Sequence, residues 1–189
     1  MTTPRILPRV LAAVTVATGL AGCNDYLTVK NPTVIETSTL DPVNDAPVLA
    51  NSAMQNLASA YGWLIMYSAW FTGEVDVSET FPTRNEYGRR SVDPTNGSHS
   101  ADVWFPLSQA AASTYLVLEQ TLPTPATNVN YQKAEFALGY AFLLMAENFC
   151  QGTVRAGAPL TTINLLDSAV VHLTAANTIG VAAATTASI

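Results

Sequence analysis

The sequence predicts an all-α protein, and three observations lead to this fold class. Four segments place apolar residues at spacings of three and four, the period of one face of an α-helix. No stretch alternates polar and apolar residues for long enough to indicate a half-buried strand. Hydrophobic residues make up 49% of the chain and charged residues only 12%, a balance that suits well-buried helices. We therefore expect helices packed on helices.

Residues 1–22 have the pattern of a secretion signal. A basic region with two arginines precedes an apolar run from Val10 to Gly19. This run is shorter than the ~20 apolar residues of a transmembrane helix. The tetrapeptide Leu-Ala-Gly-Cys that ends at Cys23 resembles the lipobox of bacterial lipoproteins, in which cleavage before the cysteine frees it for acylation. The alternative is an ordinary secreted protein that is cut just before a chance cysteine.

Cleavage before Cys23 leaves a mature chain of one-domain size. It keeps six basic and all fourteen acidic side chains, a net charge of −8, which disfavours a nucleic-acid partner. Residues 23–44 contain two X-Pro pairs and no sustained period, so we interpret them as a tether. If Cys23 is lipidated, Cys150 is either a buried free thiol or the partner of a cysteine outside this sequence.

The first predicted helix begins with Asp45 as N-cap and Pro47 in its first turn, and it ends at Gly73. Its predicted apolar face consists of Leu49, Ala53, Leu57, Ala60, Leu64 and Tyr67. A long polar loop, Thr72–Ser100, follows, and its two prolines and three glycines indicate a segment that is either functional or disordered.

The second helix is predicted over residues 101–121, with regular helix only from near Pro106. Its predicted stripe consists of Leu107, Ala110, Ala111, Tyr115 and Leu118. Between this helix and the next helical segment, no stretch has the alternating polar and apolar residues of a strand.

The last two predicted helices cover Gln132–Asn148 and a segment from Thr161 or Thr162 to about Asn177. Their starts lie roughly thirty residues apart, close to the tetratricopeptide (TPR) period. We expect a TPR-like helix pair at about 132–177, with Leu138 and Leu144 in its core. Such pairs bury both faces only by stacking on neighbours. We therefore interpret the chain as a truncated, α-solenoid-like fold. The predicted apolar stripe of the last helix consists of Leu165, Leu166, Ala169, Val170 and Leu173.

Four segments, in order, resemble the SusD/RagB-type outer-membrane lipoproteins. They are the lipobox with CNDYLTVKNPT, the loop TFPTRNEYGRR, the helix YQKAEFALGYAFLLMAENFCQG and the segment APLTTINLLDSAVVHLTAAN. The lipobox is the specific motif, and the others are similar by their order. The chain departs from the family where many members carry Arg-Ala, because it has Gly139-Tyr140 there.

The resemblance implies that residues 45–189 are the N-terminal portion of a longer, non-catalytic nutrient-binding protein without a cofactor. Such a protein is anchored to the cell outer membrane through acyl chains on Cys23, with its body exposed at the surface. It binds glycans or other nutrients and hands them to a SusC-like TonB-dependent transporter. The alternative function is a TPR-like envelope lipoprotein that serves as a scaffold for other proteins.

The residues themselves offer little for catalysis or metal binding. Neither histidine stands in a metal-ligand pattern, and the sequence has no nucleophile elbow or phosphate loop. His99 is expected to be solvated and His172 to be a packing or surface residue. Oxygen ligands of the long loop could bind Ca²⁺, but the series of an EF-hand is missing, so we expect a solvated acidic loop. The acids are Glu74, Asp76 and Glu79, and the arginines expected to pair with nearby acids are Arg84, Arg89 and Arg90.

Aromatic residues are the best candidates for ligand contact. Trp63, Tyr67, Trp70 and Phe71 crowd the end of the first helix, where their helical spacing favours core packing. Tyr87 lies between Glu86 and Gly88 and is expected to be the most exposed aromatic residue of the loop. The ligand-binding candidates are Tyr87, Trp104 and Trp70.

Overall fold

A computed structural model of the chain describes residues 39–41, 43–120, 122–155 and 157–187. The unit that begins at Asp41 consists of helices packed on helices, which confirms the all-α prediction. The helices are α1 (Ala46–Thr72), α2 (Pro82–Gly88), α3 (Gly97–His99), α4 (Phe105–Leu118), α5 (Val129–Asn148) and α6 (Thr162–Ala187). The predicted signal and most of the predicted tether lie outside the described residues.

Helix α1 begins and ends where the sequence predicts. All six residues of its predicted apolar face are buried. Gly73 ends the helix with φ 82°, a left-handed conformation that glycine adopts without steric cost, and its N–H donates to Ala69 O and Trp70 O. Asp45 is the N-cap residue, as predicted, but its side chain forms no capping hydrogen bond; its Oδ2 instead accepts from the N–H of Asp41 at 3.0 Å.

The segment Thr72–Ser100 is not a structureless loop. It contains the short helices α2 and α3. Asn96 caps α3, because its Oδ1 accepts from the N–H groups of Ser98 and His99. Arg90 donates to the carbonyl oxygens of Phe71 and Thr72, which have no intrahelical donors at the end of α1. Local polar contacts therefore hold the segment on the end of α1.

A π-helical turn, Ser100–Trp104, leads into α4. Pro106 has no N–H to donate to the carbonyl of Asp102, and its ring crowds that carbonyl, so the preceding turn widens. Phe105 N–H accordingly donates to Ser100 O, five residues back. The regular helix starts at Phe105, as the position of Pro106 predicts.

Helices α5 and α6 form a hairpin that the sequence predicts. Two short strands that it did not predict, β1 (Gln151–Gly152) and β2 (Leu160–Thr161), pair antiparallel between them. Gly139 lets the helices approach closely, since a methyl group there would lie 2.8 Å from Leu173 Cγ. Leu138 and Leu144 are buried, as predicted.

Helix α6 differs from its prediction in length and in burial. It continues ten residues beyond Asn177, because the alanines that follow Gly180 favour helix. Leu165 and Ala169 are buried, whereas Leu166 is 39% and Val170 65% exposed, so the predicted stripe is only half covered. By length and composition alone, with a mean hydropathy of 1.3, α6 could cross a membrane, although Leu165 and Ala169 belong to the core.

Candidate ligand-binding site

Aromatic rings from α1 and the following segment meet around Tyr67. Its ring centroid lies 5.3 Å from that of Trp70 and 4.4 Å from that of Tyr87. His99 stacks on Tyr87 at 5.8 Å and meets Tyr67 edge-on at 5.4 Å. Two of the three predicted ligand-binding residues, Trp70 and Tyr87, therefore belong to one aromatic cluster.

Phe149 connects the third candidate to this cluster. Its ring centroid lies 5.3 Å from that of His99 and 5.0 Å from that of Trp104. Trp104 is half-buried and lines a hollow of about 340 Å³ with His99 and Phe149. Phe149 was not singled out from the sequence, since it follows α5 with no helical periodicity of its own.

Tyr87 is less exposed than its sequence neighbours suggest. It packs against the core and lines a hollow of only about 190 Å³. Burial raises the pKa of its hydroxyl to about 12. The expectation of an exposed Tyr87 is therefore wrong, because the ordered segment folds its ring back onto Tyr67.

The hydroxyl of Tyr67 is fixed by Asp102 from the π-helical turn. It donates to Asp102 Oδ2 at 2.6 Å. Burial, and then this hydrogen bond, raise the pKa of Tyr67 well above its usual range, so the hydroxyl stays protonated. The π-helical turn thus sets Asp102 against α1.

Arg84 joins α1, α2 and the π-helical turn. Its guanidinium carbon lies 4.2 Å from the ring centroid of Trp63 and 5.0 Å from that of Phe81. Two of its nitrogens donate to Asp102 Oδ2, at 2.9 and 3.1 Å, and a third donates to Glu79 Oε2 at 3.2 Å. Arginine suits this position, because a planar guanidinium stacks on rings and bonds carboxylates at its edge. The predicted pairing with acids is confirmed for Arg84, whereas Arg90 caps α1.

A groove of about 400 Å³, which we call the tryptophan groove, runs along α1 beside this network. Its walls carry two indoles, a carboxylate and a guanidinium, and small residues of α1 leave it open. Its lining consists of Ala58, Ser59, Gly62, Trp63, Met66, Trp70, Glu79 and Arg84. Trp70 is only 7% exposed, so it offers the groove little surface.

Glu79 keeps hydrogen-bonding capacity beside the tryptophan groove. One oxygen accepts from Arg84, and the other, Oε1, is buried without a hydrogen-bond partner among the described residues. Within those residues, no group of three or more His, Cys, Asp or Glu side chains has the geometry to hold a metal ion. The loop acids Glu74, Asp76 and Glu79 are not grouped in this way.

The two histidines differ in surroundings. His99 is half-buried between rings, so the expectation that it is solvated is wrong. Burial lowers its pKa, and the charge of Asp102 opposes this only in part. His172 is a packing residue as predicted, with Nδ1 2.6 Å from Glu135 Oε2 and its ring stacked on Phe142.

The structure describes Cys150 but not Cys23. Cys150 is a free and exposed thiol, so the buried alternative is wrong. Cys23, the predicted lipidation site, lies outside the described residues.

Comparison with known proteins finds no relative of this chain. No protein-family model, curated protein or solved structure matches it.

Sequence reasoning missed the part played by Trp63 and Asp102. Trp63 was assigned to core packing by its helical spacing, yet it holds Arg84 at the groove. Asp102 lies eighteen residues after Arg84, and no local pattern marks that distance as a contact. The one available signal was Pro106, which marks an irregular turn at Asp102.

Proposed function

We propose that this chain is a non-catalytic nutrient-binding lipoprotein of the outer membrane, which hands a glycan to a TonB-dependent transporter. The tryptophan groove is the observation that carries the proposal. The C–H face of a sugar ring is apolar and packs on apolar side-chain surface, which Trp63 offers because it is partly exposed and lines the groove beside Arg84. Its hydroxyl groups are donors and acceptors that suit Glu79 and Arg84.

The groove is also held in shape before a ligand arrives. Trp63, Arg84 and Asp102 are linked by ring stacking and charge-assisted hydrogen bonds across three elements. A preformed site loses less conformational entropy on binding than a mobile loop does. The Glu79 side chain is 26% exposed, and its Oε2, which accepts from Arg84, keeps acceptor capacity for a ligand hydroxyl.

The rest of the proposal derives from the sequence. The lipobox supports a lipid anchor at Cys23, and the order of the four similar segments supports the SusD/RagB-type assignment. The α5–α6 hairpin supports TPR-like stacking on further helix pairs, with the half-covered α6 as the contact face.

Oligosaccharide binding to the purified chain tests the proposal. We expect Ser59→Trp to abolish binding, because an indole at Ser59 fills the groove. Ser52→Trp is the matched control, since Ser52 is exposed one heptad earlier on α1 and does not line the groove. Trp63→Ala should weaken binding about tenfold through lost ring contact. Equal binding by the Ser59→Trp and Ser52→Trp variants would refute the groove as the site.

A scaffold function is the second candidate, and one observation favours it. Helix α6 exposes Ile163, Val170 and Val171 by 64–70%, a row of apolar side chains suited to a protein partner. Val170→Asp should then abolish co-purification of envelope proteins. If that occurs, and no oligosaccharide binds the wild-type chain, the scaffold function replaces nutrient binding.

A further inference from the structure

A second groove lies on α5 between α1 and α6 and is separate from the tryptophan groove. We call it the α5 groove. It has a volume of about 460 Å³, within the usual range of small-molecule sites. Five apolar side chains, two amides and one ammonium line it, and no carboxylate does. The lining consists of Met54, Val129, Gln132, Lys133, Phe136, Leu173, Ala176 and Asn177.

The walls of the α5 groove are apolar side chains in contact with solvent. Val129 is 50% and Phe136 38% exposed. Exposure of this kind leaves apolar area that a bound apolar ligand removes from water, and this burial stabilises the complex. The groove therefore favours a hydrocarbon chain over a sugar.

Lys133 is the charged group of the α5 groove. Its Nζ donates to Asn51 Oδ1 at 2.8 Å, which leaves further donor capacity on the ammonium. Among the described residues, Arg84 and Arg155 form ion pairs with carboxylates, whereas Lys133, like Arg89 and Arg90, forms none. In a chain with fourteen acids and eight bases, the groove thus holds a cation that no carboxylate of the described residues neutralises.

We propose that the α5 groove binds the anion of a fatty acid. The apolar walls hold the chain, and the Lys133 ammonium binds the carboxylate, with the amides of Gln132 and Asn177 as further donors. A fatty acid supplies the carboxylate that the Lys133 ammonium lacks among the described residues. The same ammonium disfavours cationic ligands.

Calorimetric titration of the detergent-free full chain carrying Cys23→Ala tests this assignment. The probes are octanoate, decanoate and dodecanoate below their micelle-forming concentrations, with methyl decanoate as the neutral probe. We expect affinity to rise about two- to fourfold for each added CH₂ group. The ester should bind about tenfold more weakly than decanoate, because it lacks the charge.

Three variants locate the site. Lys133→Met should weaken decanoate binding about tenfold and leave ester binding unchanged. Val129→Asp places a negative charge in the groove and should weaken decanoate at least as much, while an acid in the first turn of α5 is compatible with the helix dipole. Ile163→Asp is the matched control, because Ile163 is an exposed β-branched residue in the first turn of α6 outside the groove.

Two results would overturn the proposal. The first is equal binding of acid and ester together with no effect of Lys133→Met, which would mean that the groove holds apolar chains without using its charge. The second is no decanoate binding together with self-association that Val129→Asp disperses, which would make a second copy the occupant.

Discussion

Gly139 and Gly62 both lie inside helices, but replacing them by alanine should change the free energy of unfolding in opposite directions. A methyl group at Gly139 would lie 2.8 Å from Leu173 Cγ and 2.9 Å from the backbone nitrogen of Leu173. Carbon atoms pack best at about 3.5–4.0 Å, so the methyl group would be roughly 0.7 Å too close to Leu173 Cγ. At Gly62, no atom lies within 4 Å of the added methyl group apart from its chain neighbours and the nearby backbone of α1 itself.

The size of each effect on the free energy of unfolding depends on which atoms around the added methyl group can move. The obstacle at Gly139 includes the backbone of α6, so relief requires α5 and α6 to separate and loosens the packing around Ala169. Overpacking costs about 1–3 kcal/mol, and the better helix propensity of alanine returns about 1 kcal/mol. Because backbone atoms are involved, we take the upper part of that range and expect Gly139→Ala to destabilise by about 1–2 kcal/mol. Gly62→Ala should stabilise by up to about 1 kcal/mol.

Thermal unfolding followed by circular dichroism measures the difference. For a chain of this size, about 1 kcal/mol corresponds to about 2–4 °C in Tm. We expect Gly139→Ala to lower Tm by about 2–8 °C and Gly62→Ala to raise it by at most about 2–4 °C. If both variants raise Tm, the close approach of α5 and α6 at Gly139 is wrong.

Three further outcomes are expected. Cys23→Ala should abolish incorporation of labelled acyl chains and membrane association in a Gram-negative host, and an acylated, membrane-bound variant would rule out the anchor. Leu138→Ala and Leu144→Ala should each lower the free energy of unfolding by about 2–5 kcal/mol in urea titrations, because both side chains are buried; unchanged midpoints would contradict that burial. Since the pKa of His99 is lowered in the folded state, its neutral form contributes stability that is complete above the unfolded pKa of about 6.5 and is lost as pH falls. Tm should therefore drop less in His99→Gln than in the wild type between pH 7.5 and pH 5, and equal drops would contradict the burial of His99.

Local patterns predicted most of the helices because they report on burial along a single element. The six-residue face of α1 is buried in full, and Gly73 ends the helix in the left-handed conformation. The position of Pro106 predicted where regular helix begins in α4, because proline lacks the N–H that a helix interior needs. Polar segments were less predictable: Thr72–Ser100 was identified as functional or disordered, and it is ordered by contacts such as those of Asn96 and Arg90.

The sequence by itself determined the all-α class, the bounds of α1 and the α5–α6 hairpin, because helical periodicity and helix-ending residues act over a few residues. Only the tertiary structure decided which apolar side chains stay exposed, since Leu166 and Val170 have the spacing of a core stripe and lack a covering helix among the described residues. The tertiary structure also decided which residues come together in the two grooves. Arg84 meets Trp63 and Asp102 across three elements, and the α5 groove combines α1, α5 and α6. Contacts at such separations depend on how helices pack, which no short stretch of sequence specifies.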